Sequence, residues 1–229
     1  VQEFGGVVHP VNQVASKYQV VTRVFFTKFA SIALRKFHTL AAIAVIEIGK
    51  RHLHGSAQIA FVMQKVIQGI ALLKRFGRID ILVNDAGIYL KSAVVDMTET
   101  DWDRTLDINL GGNFLCCREF VPAMRAQKSG RIISMASGIG HYGMKQFSHY
   151  AASKAGIIGF VKALARELAP DGITVNAICP GSANTAMPRG HRTEEEVMQR
   201  LHSTPLPHVL EAEDIAGAIV FLASDAAGY

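Results

Sequence analysis

From residue 77 onward the apolar positions of the chain change their spacing in a regular way. Short runs rich in Ile and Val stand at 78–83, 131–136 and 173–178. Runs of this length and β-branched content predict buried strands. Elsewhere the apolar residues recur every three or four positions, the spacing of a helix face. Trp102, Leu106, Phe114 and Leu115 carry one helix from Thr98 to about Met124. Ala151, Ile157, Phe160, Leu164 and Leu168 carry a second over about 148–169, and a third covers about 212–223. Thr98-Glu99-Thr100-Asp101 opens the first helix as a capping arrangement with acids over its positive end. Pro170-Asp171-Gly172 breaks the second. Residues 186–208 are polar, and Glu194 to Glu196 are expected to start a solvated helix.

The first third is harder to read. Clusters at 7–8, 20–21, 24–26 and 41–48 are candidate strands by their β-branched content. Residues 58–76 place Ile59, Val62, Met63, Val66, Ile67, Ile70 and Leu73 at helical spacing and stop at Gly77. A dinucleotide-binding chain carries a glycine-rich turn between its first strand and first helix. Here Gly5-Gly6 is the only early pair, and the next glycine is Gly49.

A length of 229 residues can bury a full core, and 49% hydrophobic with 19% charged residues is ordinary for an α/β protein. No run approaches the roughly 18 uncharged apolar residues of a membrane span, and the first residues lack a basic, apolar leader; no membrane association is expected. Cys116, Cys117 and Cys179 give no disulfide framework, so a reducing, cytoplasmic location is expected. The net charge of +5 is uneven. Residues 1–78 hold eleven Lys/Arg against Glu3 and Glu47, about +9, and the rest hold thirteen against seventeen, about −4. The basic residues are scattered among Val, Ile, Phe and Ala, which describes a solvated face rather than a nucleic-acid patch. Nine dispersed histidines, with His52-x-His54 the only close pair and no H-E-x-x-H, predict no catalytic metal.

The candidate chemistry lies in 130–154. A strand ends in Ser137, a glycine-containing loop follows, and the next helix carries Tyr150 and Lys154 at i and i+4, on one face. An ammonium beside a phenol favours the phenolate and lowers a pKa that is about 10 in water. Tyr150 is therefore a candidate acid/base, and Ser137 can aim its hydroxyl at the same point.

This serine, thirteen residues before Y-x-x-x-K, resembles the short-chain dehydrogenase/reductase family. Four further stretches are similar to its motifs: Asn84-Asp85-Ala86-Gly87, where the family usually reads N-N-A-G; L-D-I-N-L-G-G around Asn109; Pro180-Gly181-Ser182-Ala183-Asn184-Thr185, like P-G-x-x-x-T; and E-D-I-A in the last helix. The resemblance covers about 77–229. The family's T-G-x-x-x-G-x-G start has no counterpart. Either the chain holds the pyrophosphate in another way, or the residue identities over roughly the first 75 positions are unreliable, through a frame error or uncertain assignment; the correct distance to the next motif favours the second.

The resemblance implies an α/β fold: a single, doubly wound Rossmann-type domain over 1–229, with a mostly parallel sheet and helices on both faces. In it 1–76 would be the poorly matching cofactor half and 186–208 a substrate lid. It implies NAD or NADP as cofactor, with no residue to choose between them, and reversible hydride transfer to or from a carbonyl or secondary alcohol. Tyr150 would exchange the proton, Ser137 bind the substrate oxygen, Lys154 tune the phenol and hold the nicotinamide ribose, and Asn109 position a water. Asn84, Ala86, Gly87, Pro180, Gly181, Ala183 and Thr185 would meet the cofactor, with main-chain groups near Ala183 facing the carboxamide. Ile139, Tyr142, Met144, Phe147 and Met187 would line an apolar pocket for a small ketone or alcohol. In the family the two central helices pack against their copies, so the resemblance implies a homodimer or homotetramer. The alternative is a catalytically silent dinucleotide-binding or scaffold protein, which the missing glycines favour and the complete Ser-Tyr-Lys-Asn set opposes. A weaker third option, nucleic-acid binding by the basic first third, would show steep salt dependence.

Overall fold

Four strands run parallel in the order β1-β2-β3-β4: β1 (Ile43–Ile46), β2 (Ile81–Asn84), β3 (Gly130–Met135) and β4 (Ile173–Ile178). The computed structural model describes residues 43–46, 70, 73–184, 187, 193–202 and 210–228. The strand candidates at 7–8, 20–21 and 24–26 lie outside them, as do Thr185 and most of the helix expected over 58–76. That helix is seen at 73–76 and ends where the Gly77 N–H donates to the Leu73 carbonyl at 2.8 Å, with Gly77 at φ +69°.

The strands are apolar on both sides because both faces of the sheet are covered. Leu82, Ile132, Ile173 and Val175 point to one face. There they meet Cys116, Cys117, Phe120 and Met124 of helix α2 (Gly112–Gln127), and Ile157, Val161 and Leu168 of α4 (Ser148–Leu168). Ile81, Val83, Ile133 and Met135 point to the other. They are covered by Ile215, Ile219, Val220 and Ala223 of α6 (Ala212–Ala223). This is the doubly wound α/β fold, with a parallel sheet between helical layers. Helix α1 (Glu99–Leu106) precedes α2, the short α3 (Ile139–Tyr142) precedes α4, and α5 (Glu194–Leu201) precedes α6.

Local sequence accounts for most boundaries. Thr98 caps α1, its Oγ1 accepting from the Asp101 N–H at 3.1 Å. Glu194, Glu195 and Glu196 form the exposed first turn of α5, as expected. The helix predicted from Thr98 to about Met124 is not uniform. Between α1 and α2 the residues Asp107–Gly111 form a π turn, in which the Gly112 N–H reaches back to the Asp107 carbonyl. A Cβ built on Gly111 would meet the Leu106 carbonyl oxygen at 3.8 Å, an ordinary contact within the described residues. Among the described residues no helix is long and apolar enough to cross a membrane, and no group of three or more His, Cys, Asp or Glu is arranged to hold a metal ion.

Between α4 and β4 the chain turns through Ala169–Asp171 and Gly172, at φ +70°. A Cβ on Gly172 would stand 2.7 Å from the carbonyl oxygen of Lys128, which ends α2 in a left-handed conformation at φ 53°. Asp171 also accepts from Arg125 at 3.0 Å and Lys128 at 2.6 Å, a surface cluster that adds little by itself. The backbone at Gly172 is therefore the stricter constraint. Gly172→Ala should cost about 1–3 kcal/mol, the range for strained backbone. Urea unfolding checks this, and a midpoint equal to that of the unmodified chain would show that the turn yields freely.

Candidate active site

The site forms where β2 and β3 end and α4 begins. Tyr150 and Lys154 stand on the buried face of α4's first two turns, 7% and 5% exposed. The Lys154 Nζ donates to the Met135 carbonyl at the end of β3, 2.6 Å away, and lies 5.7 Å from the centroid of the Tyr150 ring. Ser137, two residues past β3, hydrogen-bonds with the Tyr150 phenol, and its Oγ accepts from the Ile139 N–H at 3.2 Å. Ser137, Tyr150 and Lys154 are thus gathered at one point by a strand end and a helix start. Gly140 makes the approach possible: a Cβ there would stand 2.9 Å from the Lys154 main-chain carbon and the Ala155 nitrogen.

Asn109 completes the group from the π turn, fully buried. Its Nδ2 donates to the Ile88 carbonyl at 3.1 Å and to Ser153 Oγ at 3.0 Å, and its Oδ1 accepts from the Ile88 N–H at 2.8 Å. The Ser153 hydroxyl in turn donates to the Tyr150 carbonyl at 2.7 Å. The side chain of Asn109 is therefore spent on holding the loop after β2 against α4. Its main-chain oxygen accepts from Asn113 Nδ2 at 2.8 Å.

The electrostatics differ from the sequence expectation. Lys154 was expected to lower the phenol of Tyr150; the phenol is instead pushed up to about 12, chiefly by burial, while the hydrogen bond with Ser137 pulls it down. Burial also brings Lys154 down to about 8, against the opposing pull of Asp85 and Cys179. Burial thus disfavours the charged form of both groups. Near neutrality the site holds an ammonium and a neutral phenol. Asp85, the departure from N-N-A-G, raises both groups.

The remaining predicted residues divide. Ile139 and Phe147 are buried and pack with Tyr150, joined by Met144, Ala151 and Tyr89. Tyr142 is largely exposed, with its ring against Gly138. Met187 is 44% exposed and lies outside this cluster. Tyr89 was missed: it stacks on Phe147 at 4.3 Å and meets the Tyr150 ring edge-on at 4.9 Å. Its one sequence signal is its place two residues after Gly87. Ser153, directly before Lys154, was also missed.

Asn84 ends β2, its Nδ2 donating to Ser134 Oγ at 3.4 Å and Cys117 Sγ at 3.5 Å. Ala86 is buried, and Gly87 faces the centre of the site: a Cβ on it would stand 3.3 Å from Asn109 Oδ1 and 3.6 Å from Lys154 Nζ. Pro180's carbonyl accepts from the Gly138 N–H at 3.0 Å, and a Cβ on Gly181 would meet nothing within 4 Å. The main chain after Ala183 is less available than expected, because the Asn184 N–H donates to the Leu210 carbonyl at 2.8 Å. A bare backbone at Gly87 leading to a buried ammonium is a cradle that a side chain would fill, so the residues present fit the nicotinamide and ribose of a dinucleotide.

Comparison with known proteins agrees with this geometry. A family model described as Enoyl-(Acyl carrier protein) reductase matches residues 38–229. The 3-oxoacyl-(acyl-carrier-protein) reductase FabG of Thermotoga maritima is 41% identical over 174 residues, 75% of this chain and 67% of that protein. FabG of Staphylococcus epidermidis is 42% identical over 158 residues, 69% of this chain and 64% of that protein. The chain thus spans about two thirds of the length of these curated relatives. Among solved structures, levodione reductase superposes with a TM-score of 0.68 at 33% identity, covering 76% of this chain and 70% of that one. With its parallel sheet between helical layers and its Ser-Tyr-Lys group at the strand ends, the chain belongs to the short-chain dehydrogenase/reductase family, whose members are NAD(P)-dependent oxidoreductases acting on CH–OH and carbonyl groups.

Proposed function

We propose that this chain, as a single domain, catalyses the reversible reduction of an apolar ketone to a secondary alcohol, with Tyr150 as the proton donor. The observation that carries this reading is the buried Tyr150 phenol, hydrogen-bonded with Ser137 and 5.7 Å (ring centroid) from the Lys154 ammonium. A phenol kept neutral by burial can donate a proton to a developing alkoxide, and Ser137 can hold the same oxygen. Lys154 and Tyr150 would grip the nicotinamide ribose; Asn84, Ala86, Gly87, Pro180, Gly181, Ala183 and Thr185 would meet the rest of that end. The dinucleotide, NAD or NADP, supplies the hydride when bound. Asn109 would offer its main-chain oxygen to a water.

Apolar groups around the phenol support the substrate class. Ile139, Phe147, Met144 and Tyr89 form one wall, with Tyr142 and Met187 toward solvent. The curated relatives are named for 3-oxoacyl groups on an acyl carrier protein, and a 3-oxoacyl chain is a ketone of this kind. Residues 186–208, with α5 among them, would form the lid. Phe114, 46% exposed on α2, supports pairing of α2 and α4 with copies in a homodimer or homotetramer. Three free cysteines support a cytoplasmic setting.

Titration with NADH and NADPH should show binding of one, and Tyr150→Phe should keep that binding while losing at least ~10² in turnover of a ketone panel, the low end for a general acid. Turnover near that of the unmodified chain would remove Tyr150 from the chemistry.

Burying the Lys154 ammonium opposes folding. Its folded pKa of about 8 lies below the 10.5 of a free lysine, so the penalty is full below pH 8 and fades as pH rises toward 10.5. Lys154→Met should therefore abolish turnover yet stabilise the fold at pH 7, by at most roughly 3–4 kcal/mol at 1.36 kcal/mol per pH unit. The lost bond to Met135 reduces this gain. Unfolding at pH 7 and pH 10 reads it: a difference from the unmodified chain that does not shrink with pH contradicts the buried cation.

Asp85→Asn removes a charge that raises both groups. The pH profile of alcohol oxidation should move to lower pH in this variant. A profile that stays in place or moves upward would mean that the carboxylate does not act on the site.

A further inference from the structure

Asn109 stands at one end of a buried polar line. Asn113, one turn further on in α2, donates from Nδ2 to the Asn109 main-chain oxygen at 2.8 Å. Cys117 follows one turn later, so Asn113 and Cys117 are neighbours on one helix face. The Sγ of Cys117 accepts from Asn84 Nδ2 at 3.5 Å, and Asn84 continues to Ser134 at 3.4 Å. The line lies between α2 and the sheet. Asn84, Asn109 and Asn113 in it are 2%, 0% and 3% exposed.

Two carbonyl oxygens in this line, Asn84 Oδ1 and Asn113 Oδ1, are buried without a hydrogen-bond partner among the described residues. Such an acceptor is costly to leave unmet, and internal water is its usual partner in an enclosed polar place. Cys117 touches Asn84 and adjoins Asn113, which puts both oxygens around one neighbourhood. A water carries two donor hydrogens and can serve both acceptors. The π turn contributes as well, since turns of this kind interrupt the regular carbonyl ladder and often stand at functional sites.

We propose that Asn84 and Asn113 hold an internal water, and that Asn113 is a positioning residue for proton delivery, fixing the Asn109 main-chain oxygen toward Lys154. This rests on the reading of Tyr150 and Lys154 as the proton-exchanging pair. Asn109's side chain is committed to Ile88 and Ser153, so its main-chain oxygen is its remaining contribution, and Asn113 governs where that oxygen points.

The test pairs two variants of equal shape. Asn113→Val removes donor and acceptor together. Asn113→Thr keeps a hydroxyl that can donate to the carbonyl four residues earlier. A high-resolution crystal structure of the unmodified chain should show a water within hydrogen-bond distance of both oxygens, and the Val variant should lack it. In the Val variant kcat should fall by ~10-fold or more, short of the ~10² set for loss of the acid itself. KM for the ketone and cofactor affinity should hold, and the solvent deuterium isotope effect should rise as proton delivery becomes limiting. Thr should recover most of kcat. Equal unfolding midpoints for Val and Thr exclude a folding defect as the cause. Absence of the water, or Val and Thr variants with the same kcat and isotope effect, overturns the proposal. If the unmodified chain turns over no ketone, the proposed function fails, and the crystal structure still decides the hydration site on its own.

Discussion

A lysine ammonium shut away from water must find an acceptor inside the protein, and Lys154 finds the carbonyl of Met135 at 2.6 Å. That single bond joins the first turns of α4 to the last residue of β3, and the neighbouring geometry conforms to it. Gly140 has no side chain because α3 passes against the backbone at Lys154 and Ala155. Gly87 has none because Lys154 and Asn109 occupy the volume a Cβ would approach. Asn109 then fastens the Ile88 backbone, through Ser153, to the same helix. Strand ends, loop and helix are thus held in one arrangement around a charge that burial disfavours.

Much of this was legible in the sequence because it follows from local pattern. Apolar runs gave β2, β3 and β4 within a few residues, and α6 falls on the predicted 212–223. The i, i+4 spacing put Tyr150 and Lys154 on one face, and the thirteen-residue interval brought Ser137 to them. What stayed hidden depends on contacts between distant segments. The π turn leaves no mark in a pattern of apolar residues, and Tyr89 gains meaning only when Phe147 and Tyr150 close over it. The direction of the Tyr150 shift was misjudged for a related reason. Helical spacing shows that two groups are close but not how deeply both are buried, and burial outweighs their attraction.

Buried asparagines recur through the centre of the molecule, and their placement has a common logic. Asn84, Asn109 and Asn113 are each more than nine-tenths buried, and each bonds across a junction or turn that apolar packing alone would leave loosely defined. Amides carry no charge to desolvate yet have direction, which lets them fix register inside a core without the cost of a buried ion.

The division of the sheet's two faces bears on how the chain acquires its structure during synthesis. One face is covered by α2 and α4, which lie between the strands in sequence and can dock as each strand pairs. Among the described residues, the apolar face made by Ile81, Val83, Ile133 and Met135 is covered by α6, which comes last in the chain. Until residues 212–223 have left the ribosome, a strip of four β-branched or long apolar side chains lacks the cover that α6 gives it. Parallel pairing is slow to form because its contacts are distant in sequence, which lengthens that interval. A nascent chain arrested before α6 would present a half-clad sheet, a natural substrate for a chaperone that binds exposed apolar strands.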